Sequence, residues 1–251
     1  MSNPEVEQFK PDPTRKPWGI WATLGFSVIT AIFYVLIQVL VTIVFLISTR
    51  NQFSEISQQD LEELQFNGLL TSWGIIAGGI VVIGLVLFFA KLRKNYSIQE
   101  YLSLKKVSAK DLGKWLIVTL IYLVVFEGIF YLFKLSHGDW IVRVYQTAGV
   151  LPLLYLAIVV AAAIGEEIFF RGFLFQGLQA SRLGNNGALV ISSVIWALIH
   201  SQYEAHTVFS IAIIGLILGY ARIKTNSIYV PIAMHGLNNL IALIQVAIQL
   251  R

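Results

Sequence analysis

Long apolar segments separated by short polar ones recur along almost the whole of this 251-residue chain. A transmembrane helix needs about 20 consecutive apolar residues, and segments near or above that length are expected to cross the membrane. Spans are predicted at residues 19–48, 69–90, 115–135, 152–179, 188–203, 208–221 and 228–250. The pattern predicts an all-α, polytopic integral membrane helix bundle of about seven transmembrane helices, with eight as the alternative count.

The composition agrees with a membrane protein and excludes several function classes. Hydrophobic residues make up 57% of the chain and charged residues only 13%, whereas a soluble domain carries about 25% charged residues. The net charge of +4 is interpreted as loop charge that orients the chain, so no nucleic-acid partner is expected. With no cysteine, a disulfide, a thiol nucleophile and a thiolate metal site are all excluded.

The same pattern divides the chain into three parts. Residues 1–18 are polar and rich in proline, and we expect a disordered cytoplasmic segment there. Residues 19–149 hold the N-terminal transmembrane helices, and residues 150–250 hold the part that carries the candidate chemistry. The first apolar run exceeds a signal-peptide core of about 7–15 residues, so we expect it to remain as a span.

The distribution of basic residues predicts the orientation. Lysine and arginine collect before the first span, between the second and third, after the fourth and after the sixth. With seven spans these places lie on one side, which the positive-inside rule makes cytoplasmic. The N-terminus is then inside, the acidic segment 50–67 with a short interfacial helix is outside, and a bacterial inner membrane is the expected location.

One predicted span, 152–179, contains two carboxylates and a guanidinium: Glu166, Glu167 and Arg171. Charges at bilayer depth are costly, usually face the bundle interior and usually have a function. Glu167 and Arg171 are four residues apart on nearly one helical face, so we expect them to form a structural ion pair. Glu166 points about 100° away from Glu167 and is left to face a polar site.

Two further polar pairs occur in later apolar segments, His200 with Trp196 and His235 with Asn239. At about 1.5 Å per residue, Glu166 and Asn239 lie near the bilayer centre. Both histidines lie roughly 5–10 Å from the midplane on the same count. Side chains from three segments are therefore able to meet in one layer, and we predict a single polar site inside the membrane.

The residue types in this site indicate hydrolysis. A carboxylate in a low-dielectric pocket suits a general base or acid working near neutral pH, which makes Glu166 the candidate base. His200 would hold the same water or accept its proton, and His235 and Asn239 would donate hydrogen bonds to an oxyanion. A catalytic zinc held by Glu166, His200 and His235 is the competing interpretation, and spacing alone leaves the cofactor as none or zinc.

Three motifs follow one another on successive apolar segments: Glu166-Glu167-x-x-x-Arg171, Trp196-x-x-x-His200 and His235-x-x-x-Asn239. In this order they resemble the CPBP intramembrane proteases, which include the CAAX prenyl proteases and the bacterial Abi or bacteriocin-processing relatives. The resemblance covers about residues 150–245. Two departures are a Trp at position 196, where Phe is usual, and seven predicted spans, where the prenyl-protease relatives have eight.

The resemblance implies a membrane-embedded endopeptidase acting on a membrane-associated peptide or protein. By this resemblance, Glu166 and His200 would be the residues that activate water. His235 and Asn239 would stabilise the oxyanion. The family is often labelled metalloprotease, but a metal-independent glutamate mechanism is the preferred interpretation.

Two other interpretations compete with a protease. Glu166, Glu167 and Arg171 could form a buried ion network that only determines helix packing. Alternatively, the protein could be a non-proteolytic binding, immunity or transporter-like membrane protein that keeps a polar site. Glu127, an acid in the third predicted span, is expected to have no role. The full set of acid, base and oxyanion donors favours the protease, because a scaffold has no need for all of them together.

Overall fold

The computed structural model describes residues 16–49, 57–136 and 138–251. Most of the segment 1–18, predicted to be disordered, lies outside the described residues, as does the first part of the acidic segment 50–67. Within the described ranges the chain forms helices and no strand. The prediction of a polytopic helical bundle is confirmed.

The unbroken helical run Leu151–Gln179 is treated as one helix. In the part of the chain that is described, the helices are α1 (Ile20–Thr49), α2 (Gln58–Leu64), α3 (Gly68–Leu92), α4 (Ile98–Tyr101), α5 (Ala109–Phe133), α6 (Asp139–Gln146), α7 (Leu151–Gln179), α8 (Gly184–Leu198), α9 (Ala205–Thr225) and α10 (Tyr229–Gln249). Among these described helices, six are long and apolar enough to cross a membrane, namely α1, α3, α5, α7, α9 and α10.

The helix boundaries correct the sequence prediction at two places. The segment 184–187, which precedes the predicted span 188–203 and has the residue types of a turn, is the first turn of the short apolar helix α8. The chain turns earlier, at 180–183, and Gly184 has a φ of +57°, which glycine adopts without strain. The segment predicted as a short span at 208–221 is extended at both ends in α9, which has 21 residues and is therefore long enough to cross.

Helix α7, which carries the two glutamates, is not a regular α-helix throughout. It is π-helical over Leu156–Ala162 and over Ile168–Leu174, and α-helical between them at Ala163–Glu167. Turns of π-helix are rare and are often found at functional sites. The turn that presents Glu166 and Glu167 is thus flanked on both sides by π-helical segments, which the hydrophobic pattern does not indicate.

Glycines at two helix crossings allow α3, α7 and α10 to approach closely around this turn. A Cβ added to Gly165 of α7 would lie 3.3 Å from the Cα of Gly79 in α3. A Cβ added to Gly236 of α10 would lie 3.1 Å from the carbonyl oxygen of Val159 in α7. Small residues at interhelical contacts let backbones pack together in a membrane bundle, and here they bring α3 and α10 against the segment next to Glu166.

A comparable close approach joins α3 to α6 and predicts the effect of one substitution. A Cβ at Gly68 would overlap the carbonyl oxygen of Val144 in α6 and would lie 2.6 Å from the Cα of Ala148, two residues after α6. Because both obstacles are backbone atoms, Gly68→Ala must separate α3 from α6. We expect it to lower the free energy of unfolding by about 1–3 kcal/mol, measured by thermal unfolding of the purified protein in detergent.

The matched control for this prediction is Gly84→Ala in the same helix. A Cβ there finds no other atom within 4 Å, and alanine has the higher helix propensity. The control should therefore unfold at or above the wild-type temperature. Equal destabilisation by the two substitutions would contradict the packing argument.

Candidate active site

An ion pair between Glu167 and Arg171 lies in the interior of the bundle. Arg171 Nη1 donates to Glu167 Oε1 at 3.0 Å, and both side chains are fully buried. Arg171 Nη2 donates to the carbonyl oxygen of Gly215 in α9 at 3.1 Å. The guanidinium also lies over the ring of Trp196 in α8, 4.5 Å from its centroid. One buried pair on α7 therefore contacts two other helices.

His235 on α10 approaches the same carboxylate. Its Nδ1 lies 3.0 Å from Glu167 Oε1, and since a carboxylate only accepts, the Nδ1–H is the donor. Carboxylate partners of this kind set the tautomer and the orientation of a histidine ring. The other ring nitrogen, Nε2, is directed away from Glu167, and the side chain lines a cavity.

The indole of Trp196 brings the candidate glutamate and both histidines together. Its Nε1–H donates to Glu166 Oε2 at 2.5 Å. The Trp196 and His200 ring centroids are 5.2 Å apart, and the Trp196 and His235 centroids are 5.1 Å apart, both edge to face. The sequence indicated Trp196 only as a departure from a usual Phe and missed this contact, because spacing does not reveal a donor that arrives from another helix.

His200 lies just after the end of α8, where its ring takes the place of a backbone N–H at the carbonyl oxygen of Trp196. Its Nδ1 is 2.7 Å from the carbonyl oxygen of Trp196, so the ring donates through Nδ1–H. In the neutral imidazole Nε2 then carries the lone pair and is available to accept a hydrogen bond. The half-buried Glu166 has one engaged oxygen, and its Oε1 has no hydrogen-bond partner among the described residues.

Asn239 follows His235 by one turn of α10. Its Nδ2 donates to the carbonyl oxygen of Ile158 in the first π-helical segment at 2.9 Å, and its Oδ1 accepts from Asn238 at 3.4 Å. An amide nitrogen carries two hydrogens. One of them therefore ties α10 to α7, and one is left for a ligand.

A cavity of about 850 Å³ opens beside these side chains, which lies within the size range of ligand pockets. It is lined by all four predicted catalytic residues, namely Glu166, His200, His235 and Asn239. Further polar side chains around it include Gln38, Thr42, Thr71, Gln202, Asn238 and Gln245. Glu127, which was expected to have no role, also lines this cavity.

Each residue considered for zinc has one side-chain nitrogen or oxygen engaged by the protein and one left open. Within the described part of the chain, no group of three or more His, Cys, Asp or Glu could hold a metal ion. Trp196 occupies one oxygen of Glu166, and a backbone carbonyl occupies Nδ1 of His200. The atoms that stay open, Glu166 Oε1 and Nε2 of each histidine, face space for a polar ligand.

Residues 148–241 match the family described as type II CAAX prenyl endopeptidase Rce1-like. The match includes every predicted site residue and covers α7, α8 and α9 completely. The resemblance to CPBP intramembrane proteases is confirmed for this region.

A relative from Escherichia coli, named "Uncharacterized 24.3 kDa protein", is 28% identical over 120 residues. The alignment covers 45% of this chain and 55% of the relative. The chain thus spans about half the length of the curated relative that it matches. No solved structure matches the chain.

The buried pair predicts a large effect of Arg171→Met on stability. The substitution would remove the guanidinium from the Glu167 carboxylate and leave His235 as its remaining partner in the bundle interior. We expect a loss of about 3–5 kcal/mol in the free energy of unfolding, seen as earlier thermal unfolding in detergent.

The double variant Glu167→Gln with Arg171→Met tests whether charge is the cause. It removes both charges while keeping similar side-chain volumes, so it should recover most of the loss. A double variant as unstable as the single one would mean that the lost packing of Arg171 against Trp196 dominates.

Proposed function

We propose that this protein is an intramembrane endopeptidase that hydrolyses a peptide bond of a membrane-associated protein or peptide with a water molecule activated by Glu166 and His200. The observation that carries the proposal is the convergence of Glu166, His200 and His235 around Trp196 beside a polar cavity. The family match over residues 148–241 supports the same class of reaction.

The attacking water would lie between Glu166 and His200. Glu166 Oε1 is open to accept a proton from it, and His200 Nε2 would accept its other hydrogen in a hydrogen bond. The water oxygen then bonds to the carbonyl carbon of the substrate as Glu166 takes the proton. When the C–N bond breaks, Glu166 returns that proton to the leaving amine, which completes general base and general acid catalysis by one carboxyl.

The oxyanion of the tetrahedral intermediate would lie against α10. The second amide hydrogen of Asn239 is one donor, since the first is engaged by Ile158. His235 would donate through Nε2–H, which requires a proton on both ring nitrogens because Nδ1–H already faces Glu167. Donors of this kind each contribute about 10²–10³ in rate when they are fixed before the reaction.

Several features of the whole protein support a substrate that comes from the membrane. The helices identify an integral membrane protein, and the cavity lies among helices long enough to cross a bilayer. Amide and hydroxyl side chains around the cavity would satisfy the backbone of an extended peptide taken out of water. We further propose a bacterial inner membrane and a cytoplasmic N-terminus, on the distribution of lysine and arginine between the spans.

The proposal predicts that two substitutions abolish turnover while the protein still folds. Purified protein in detergent is mixed with a quenched fluorescent peptide library, and the initial cleavage rate is measured. Glu166→Gln removes the base and His200→Ala removes the water acceptor, and we expect each to lower the rate by at least about 100-fold. Thermal unfolding of each variant reports on folding.

Matched controls are Glu62→Gln, on the exposed face of α2, and His206→Ala, near the start of α9, neither of which lines the cavity. Both should cleave at the wild-type rate. A Glu166→Gln variant that cleaves at the wild-type rate would contradict the assignment of Glu166 as the general base. A folded wild type that binds a library peptide without cleaving it would favour the non-proteolytic binding class.

The same assay tests the cofactor. We expect cleavage to persist in a strong zinc chelator, since the proposed water is held by side chains alone. Loss of activity in the chelator with recovery on added zinc would instead assign Glu166, His200 and His235 as zinc ligands.

Trp196 is a positioning residue in this scheme, and Trp196→Phe isolates its hydrogen bond. Phenylalanine keeps an aromatic ring beside both histidines but removes the donor to Glu166. We expect kcat to fall about fivefold to tenfold, the value of one hydrogen bond to a charged group that water partly replaces, with little change in KM. The control is Trp73→Phe, an exposed residue of α3 outside the cavity. An unchanged kcat would contradict the positioning role.

A further inference from the structure

A second cavity, of about 1150 Å³, lies between α5 and α9 near the residue where α5 begins. The candidate active site lies toward the other end of α5, where Tyr122 and Phe130 line the first cavity. No residue lines both cavities. The second cavity is therefore a separate feature of the molecule.

Positive charge dominates the polar end of this second cavity. Three exposed lysines line it: Lys106, Lys114 and Lys224. Asp111 is the acidic residue among its lining side chains, and its Oδ2 accepts a hydrogen bond from Ser108 at the start of α5 at 2.7 Å. Three ammonium groups against one carboxylate favour an anionic ligand.

The remaining wall of the second cavity is apolar. It is formed by Val118 of α5, Leu189 of α8 and three residues of α9: Ile213, Leu216 and Ile217. Trp115 and Tyr220 stand between the charged and the apolar parts, with ring centroids 6.1 Å apart. Tryptophan and tyrosine are enriched at membrane–water interfaces, so this level of the cavity corresponds to the boundary of the bilayer.

Along α9 the lining residues change from charged to aromatic to aliphatic, which is the order of headgroup, interface and acyl chain in a phospholipid. Lys224 is followed, toward the bilayer interior, by Tyr220, Ile217 and Ile213. From Tyr220, at the boundary, to Ile213 is 7 residues, or about 10 Å at the rise of an α-helix. That length lies within one leaflet of a hydrocarbon core about 30 Å thick. On α5, Lys114, Trp115 and Val118 repeat the order of charge, aromatic ring and apolar side chain.

We infer that the second cavity binds an anionic phospholipid of the surrounding bilayer. Its phosphate lies among the three lysines, and one acyl chain lies along the apolar wall between α5 and α9. Basic pockets between transmembrane helices are suited to anionic lipid headgroups. The inference goes beyond the proposed protease activity and does not depend on it, because it concerns other residues and is tested by binding.

The test is lipid retention by the full-length protein in detergent, measured by native mass spectrometry. Phosphatidylglycerol and phosphatidylcholine with identical acyl chains are added at equal concentration. A lysine near an anionic lipid surface strengthens binding by about fivefold, so we expect at least a tenfold preference for phosphatidylglycerol. Replacing Lys106, Lys114 and Lys224 together by Gln should remove that preference.

The matched control replaces Lys91, Lys94 and Lys105 by Gln, which removes the same charge from exposed positions that do not line the cavity. It should keep the preference. Equal retention of the two lipids by wild type would overturn the inference, and so would equal loss in the two triple variants, since that would show a diffuse charge effect.

A second variant tests the position of the acyl chain. Ile217→Trp fills the apolar wall without changing charge, and thermal unfolding shows whether the variant still folds. We expect retention of phosphatidylglycerol to fall by at least fivefold. Unchanged retention in a folded variant would overturn the placement of the chain along α9.

Discussion

The Glu167 carboxylate is buried in a helix bundle that spans a membrane, and the arrangement of the surrounding helices depends on its partners. An uncompensated charge there would be very costly, so Glu167 is held by Arg171 and by His235. Arg171 extends the network to the Gly215 carbonyl of α9. These contacts determine how α7, α9 and α10 are rotated about their own axes. They also leave the neighbouring Glu166 only half-buried, at the wall of the cavity.

Trp196 connects the buried ion pair to the candidate catalytic side chains. One face of its ring lies against the Arg171 guanidinium, and its N–H donates to Glu166. Its carbonyl oxygen accepts from His200, which leaves Nε2 of that ring for a water molecule. A base and a water acceptor must be held in a narrow geometry to accelerate an attack on a carbonyl, and a single aromatic residue in contact with a buried ion pair supplies such a constraint.

The two cavities show how the same helices present different chemistry at two levels. Around Glu166 the lining includes carboxyl, imidazole, amide and hydroxyl groups, which suit a polypeptide backbone and a reacting water. Where α5 begins and α9 ends, lysines give way to aromatic rings and then to aliphatic side chains, which suits an amphiphile. Helix α5 lines both cavities, because it runs from its charged first turn at the second cavity to Tyr122 and Phe130 at the first.

The sequence by itself determined the class of protein, most of the spans and the order of the three motifs, because burial cost and helical period act locally along the chain. The contact between Glu167 and Arg171 needs only a spacing of four on one helix. The tertiary structure alone decided the contacts of Trp196 with Glu166 and of Asn239 with Ile158, together with the π-helical segments of α7. Those features depend on how separate helices are rotated and how closely they approach. Many side chains determine that arrangement together, so a local sequence pattern does not predict it.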